Sequence, residues 1–85
     1  MPVYCFPRNV DSMAFYAGRA DFRTYRSKEL GSMLEELSEH PRAVVLFAHR
    51  NSLGTLRHHL PPHLRIAEDR PLGLCAMAVV ERTTP

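Results

Sequence analysis

Two stretches of the chain, Ala43-Val44-Val45-Leu46-Phe47-Ala48 and Leu74-Cys75-Ala76-Met77-Ala78-Val79-Val80, contain no charged or strongly polar side chain. Successive residues of a strand point to opposite faces of its sheet, so a strand that is apolar at every position must be covered on both faces. Both runs are of strand length, and turn-forming residues bound them. The chain is therefore expected to build a sheet in which these two runs are inner strands. With 85 residues, 45% of them hydrophobic and 24% charged, it is long enough for one domain that buries a core and too apolar for wholesale disorder.

The remaining segments supply the covering layers. Val3 to Phe6 reads as a first strand stopped by Pro7, and Asp11 is placed to cap a short helix from Ser12 to Ala17. Val10 and Phe15 have hydrophobic-staple spacing about that cap, and Gly18 ends the helix. Asp21 to Tyr25 alternates as an edge strand, with Phe22 and Thr24 on one side and Arg23 and Tyr25 on the other. Ser27 then caps a helix carrying Leu30, Met33, Leu34 and Leu37 on one face, although a start at Gly31 with Ser32 and Glu35 as a capping box is also open. Asn51 or Ser52 caps a further helix with Leu53, Leu56 and Leu60, which Pro61-Pro62 terminates. Leu64 to Glu68 alternates as a strand, and a turn over Asp69 to Gly73 leads into the second apolar run.

This βαβαβαββ pattern is a three-layer, Rossmann-like α/β fold with a mixed five-stranded sheet. Continuous apolar strands belong inside and alternating ones at edges, so the expected order is 2-1-3-5-4, with strand 5 antiparallel; 2-1-3-4-5 is the rival. Either order keeps Cys5 and Cys75 about 10 Å apart or more, beyond the ~7 Å reach of a disulfide, and both read as buried structural thiols. In such sheets ligands sit beyond the carboxyl ends of the parallel strands, where the strand order reverses. The loops there hold Arg8, Asn9, Arg26, Lys28, His49, Arg50 and Asn51, a candidate anion site that lacks a glycine-rich phosphate loop.

Other chemistry is poorly provided for. His58 and His59 diverge on a helix, and Pro61-Pro62 interrupt the spacing of His59 and His63, so no metal site is expected. No Ser, His and acid arrangement or Cys and His pair has spacing that specifies a nucleophile, and no cofactor is implied. The net charge is +2, with 11 Lys and Arg scattered against 9 Asp and Glu, which is no footprint for nucleic acid. No apolar run reaches the ~20 residues of a membrane span, and Met1-Pro2-Val3 does not open a signal peptide.

Pro2-Val3-Tyr4, Asp11, Phe15-Tyr16-Ala17-Gly18-Arg19, the strand ending in Tyr25, Glu29-Leu30 and Pro41-Arg42-Ala43-Val44-Val45-Leu46 together resemble a known family. They are similar to the carboxyl-terminal soluble region of bacterial membrane glycosyltransferases of the dolichyl-phosphate-mannose protein mannosyltransferase and aminoarabinose lipid A transferase superfamily, glycosyltransferase family 39. The resemblance implies that residues 1–85 are a single domain from the C-terminus of a larger protein in the cytoplasmic membrane, lying on its extracytoplasmic side. The parent would move a sugar from a polyprenyl phosphate carrier to an acceptor, with its catalytic acid elsewhere. This domain would be a non-catalytic accessory that assists acceptor or carrier-phosphate binding, and its partner would be the parent's membrane-spanning portion. Within it, Asp11, Phe15, Tyr16, Gly18 and Arg19 form a structural signature. The alternative from another class is a free-standing module that binds a nucleotide, another anion or a protein partner at the strand-end crevice.

Overall fold

The computed structural model describes residues 2–8 and 22–83. The expected helix from Ser12 to Ala17, and with it the signature residues Asp11, Phe15, Tyr16, Gly18 and Arg19, lies outside the described residues. The rest forms β1 (Val3–Phe6), β2 (Phe22–Thr24), α1 (Leu30–Leu37), β3 (Arg42–Phe47), α2 (Asn51–His59), β4 (Leu64–Leu72) and β5 (Cys75–Arg82). The five strands make one mixed sheet in the order β2-β1-β3-β5-β4. The order follows from the apolar patterning, which puts β3 and β5 inside.

β1 runs parallel to both β2 and β3, with Val3 opposite Phe22 and Val44, and Phe6 opposite Phe47. β5 is antiparallel to β3, from Arg42 opposite Glu81 to Phe47 opposite Ala76. β3 thus separates Cys5 on β1 from Cys75 on β5.

Period-two alternation divides the inner strands between two cores. On one face Tyr4, Phe6, Ala43, Val45, Phe47, Ala76, Ala78 and Val80 meet Met33 and Leu37 of α1 and Leu56 of α2. The Phe6 and Phe47 rings meet edge to face at a centroid distance of 6.5 Å, a favourable aromatic geometry. On the other face Val3, Cys5, Leu46 and Ala48 are also buried, with Val44, Cys75 and Met77 against them. Both described helices therefore cover the same side of the sheet, and the opposite side is buried as well.

Besides β2, which covers Phe22–Thr24, and β5, which extends to Arg82, three element ends differ from the sequence expectation. Ser27 does not cap α1; a 3-10 turn over Ser27–Glu29 leads into it, closed by the Glu29 amide on the Arg26 carbonyl at 2.8 Å and the Arg26 amide on Glu29 Oε1 at 2.9 Å. α2 begins at Asn51 without a side-chain cap, because Arg50 already has helical backbone angles. The amides of Ser52 and Leu53 are taken instead by the carbonyls of His49 and Arg50. Finally, β4 does not turn at Asp69 but continues to Leu72. A register shift between Ile66 and Glu68 carries the ladder on, so that Asp69, Arg70, Pro71 and Leu72 pair with Ala78, Met77, Ala76 and Cys75. Pro71 is tolerated because β4 is an edge strand. The turn shrinks to Gly73-Leu74, with Gly73 at φ +67°, which a two-residue hairpin loop requires at its first position.

Two changes test this packing in opposite directions. A Cβ at Gly31 or Gly54 would meet nothing within 4 Å. Gly31→Ala and Gly54→Ala should each raise unfolding stability by about 0.5–1 kcal/mol in urea titrations, since helix interiors favour Ala. Phe47→Ala, which removes a fully buried β3 ring from the core shared with Phe6, Met33, Leu37 and Leu56, should cost about 3–5 kcal/mol.

Candidate anion-binding site at the strand ends

β1, β2 and β3 leave the sheet at the same end. The Tyr25 amide bonds the Cys5 carbonyl at 2.9 Å, and the Ala48 amide bonds the Phe6 carbonyl at 2.9 Å, so three loops emerge side by side. Arg8 follows β1, Arg26 and Lys28 follow β2, and His49 and Arg50 follow β3, with Asn51 opening α2. All six side chains are exposed. Asn9 lies outside the described residues.

The hairpin turn between β4 and β5 completes this end. The Arg50 amide bonds the Leu74 carbonyl at 2.9 Å, and Cys75 Sγ reaches the Ala48 carbonyl at 3.5 Å. These contacts tie the loop after β3 to the turn. They also alter the expected chemistry. The Arg50, Ser52 and Leu53 amides are committed to carbonyls, so an anion here would be held by cationic side chains rather than by the open end of a helix.

The ion pairs set the strand-end cations apart. Arg23 pairs with Glu36, Arg42 and Arg65 with Glu81, Arg57 with Asp69 and Arg70 with Glu68. Among the described residues, no carboxylate pairs with Arg8, Arg26, Lys28 or Arg50. Arg82, at the opposite end of the sheet, is the other arginine without one among the described residues. Among the described residues, the strand ends thus gather four cations without carboxylate partners, which favours an anionic partner.

Elsewhere two polar clusters form that spacing along the chain did not reveal. Glu36 of α1 accepts from the Tyr25 hydroxyl and from Arg23, whose guanidinium carbon lies 5.9 Å from the Tyr25 ring centroid. A recess of about 290 Å³ lies against these groups and Ser32, Glu35 and Glu39. Tyr4 packs behind, its ring centroid 6.0 Å from that of Tyr25. The placement of Arg23 and Tyr25 on one side of β2 was expected; that Glu36 would join them required the fold. Burial pushes the Tyr4 phenol up to about 12, with the Glu36 carboxylate adding to the rise, and Tyr25 is raised by the same two causes.

Ser38 and His63 make the second cluster, with Ser38 Oγ 2.6 Å from His63 Nε2. This pair is not an activated nucleophile. Ser38 Oγ has one proton and donates it to the Leu34 carbonyl at 2.9 Å, so Nε2 must carry a proton and donate to Oγ. A ring nitrogen in that state cannot take the hydroxyl proton. His59 Nδ1 lies 3.0 Å from the Thr55 carbonyl, and His58 and His59 stack edge to face. Among the described residues, no three His, Cys, Asp or Glu side chains converge as metal ligands would. None of their helices is long and apolar enough to cross a membrane.

No family model and no curated protein matches the chain in sequence. Among solved structures it is similar to the 16S rRNA methylase RmtB and to an rRNA methylase from Escherichia coli, each at 16% identity over 86% of this chain with a TM-score of 0.46. The chain spans 41% and 42% of those two chains, and likeness of that degree carries no argument about activity.

The tyrosine pair makes stability depend on alkaline pH. The folded state holds the phenolic proton of Tyr4 more tightly than the unfolded state, whose ordinary value is 10.0. Its contribution is therefore complete below pH 10 and is lost as pH rises through about 12. Urea midpoints should fall across that window by an amount equivalent to about 3 kcal/mol. In Tyr4→Phe the fall should be much shallower, leaving the share that belongs to Tyr25.

Proposed function

We propose that this chain is a non-catalytic accessory domain of a polyprenyl-phosphate-sugar-dependent membrane glycosyltransferase, lying on the extracytoplasmic side of the parent's membrane. The observation that carries the reading is the row of cations without carboxylate partners at the strand ends, Arg8, Arg26, Lys28 and Arg50, on a frame with no acid, base and nucleophile brought together among its described residues. Such an end suits a phosphate, and its described residues bring together no groups that would cleave one. The resemblance to family 39 supports the reading through residues that do structural work. Val3, Tyr4, Tyr25, Ala43, Val45 and Leu46 are all buried. Arg and Lys side chains on the loops would meet the carrier phosphate or an anionic acceptor, while the sheet holds those loops side by side.

The native reading frame tests the first part. A parent with many apolar spans upstream of Met1 is expected; a frame that starts at Met1 with no spans would leave the free-standing anion-binding module as the better account. Amide NMR tests the second. Titration with a short-chain, water-soluble prenyl phosphate should shift Arg8, Arg50 and Asn51 and spare α1. Shifts confined to residues away from the strand ends would reject the site.

A further inference from the structure

Leu72 and Leu74, at 38% and 86% exposure, are the two exposed large hydrophobic residues among the described residues; Leu72 ends β4 and Leu74 lies in the turn that follows. One exposed leucine on a surface needs no explanation. Two at the tip of a rigid hairpin do. Leu72 is paired with Cys75, Gly73 holds φ +67°, and the Leu74 carbonyl is fixed by the Arg50 amide at 2.9 Å. The backbone is therefore held with the Leu74 side chain in solvent, and no collapse of the tip onto the sheet relieves that exposure.

The surroundings of the tip identify what would cover it. It lies at the same end of the sheet as Arg8, Arg26, Lys28, His49 and Arg50, because Arg50 is bonded to Leu74 and the parallel strands all leave at that end. Glu29 is the carboxylate carried by these loops among the described residues, and its Oε1 is engaged by the Arg26 amide. The strip from the loop after β2 to the hairpin spans five strands, roughly 20 Å at the usual strand spacing. We infer that this end docks on an anionic phospholipid bilayer, with Leu72 and Leu74 entering the interface and Arg8, Arg26, Lys28 and Arg50 meeting lipid phosphates. Apolar tips flanked by cations suit a surface that is greasy just below a negatively charged layer. The inference rests on the hairpin and its charge surroundings, and it adds a lipid contact to the accessory-domain reading.

Flotation of the 85-residue chain with vesicles tests it. Vesicles of phosphatidylglycerol mixed with phosphatidylcholine should carry the chain at low salt, and vesicles of phosphatidylcholine alone should not. Leu74→Ser should weaken binding about tenfold, from loss of the buried side chain, and Arg50→Gln about fivefold, as expected for one cation near a charged surface. Arg82→Gln, at the opposite end of the sheet, should bind as the parent chain does. Thermal unfolding of each variant at the parent's midpoint establishes that the fold is kept. Equal flotation with both vesicle types, or unchanged binding by Leu74→Ser, would overturn the inference. Failure to float while a soluble prenyl phosphate still shifts Arg8 and Arg50 would overturn bilayer docking and leave the accessory-domain reading standing.

Discussion

Everything at the strand ends depends on the enclosure of β3. It is hydrogen-bonded on both edges, to β1 in parallel and to β5 in antiparallel sense, and apolar side chains cover both of its faces. Phe47 lies in one core and Leu46 in the other, so a slip of one residue would exchange the two faces and expose neither advantageously. That register sets where β1 and β3 stop. It therefore sets where Arg8, His49 and Arg50 leave the sheet.

Charge is distributed over this frame unevenly, and the unevenness is what distinguishes one surface from the others. Glu36 and Glu81 each serve two groups, and Asp69 and Glu68 one each, so most arginines on the helices and outer strands are matched locally. Exposed pairs of this kind contribute little stability, but they quench long-range potential. The strand ends keep theirs. Among the described residues the strand ends thereby form a positive end, and the β4–β5 hairpin adds apolar side chains to it.

The strand order, the antiparallel β5 and the helical face of Leu30, Met33, Leu34 and Leu37 all follow from periodicity, which is a local property. The helix caps were misjudged because Ser27, Asn51 and Ser52 suit capping by type, whereas backbone carbonyls of the preceding loops took the amides first. Asp69 to Gly73 have turn-forming character, yet Asp69, Arg70, Pro71 and Leu72 stay paired with β5, so the turn is confined to Gly73-Leu74. Glu36 with Tyr25, and Ser38 with His63, were invisible because each pair is brought together only by the closed fold, which sets α1 beside β2 and its end beside the loop before β4.

By itself the amino-acid sequence determined the class of fold, since strands apolar at every position can exist only inside a covered sheet and amphipathic helices can cover it. It also determined that cations would gather where parallel strands end, because Arg8, Arg26, Lys28 and Arg50 each follow a strand. The tertiary structure alone decided which of those cations lacked a carboxylate partner and which helix amides were already occupied. It alone brought the Leu72 and Leu74 turn to the same end. These are contacts between residues far apart in the chain, and their outcome depends on competition among partners that meet only after the sheet has closed.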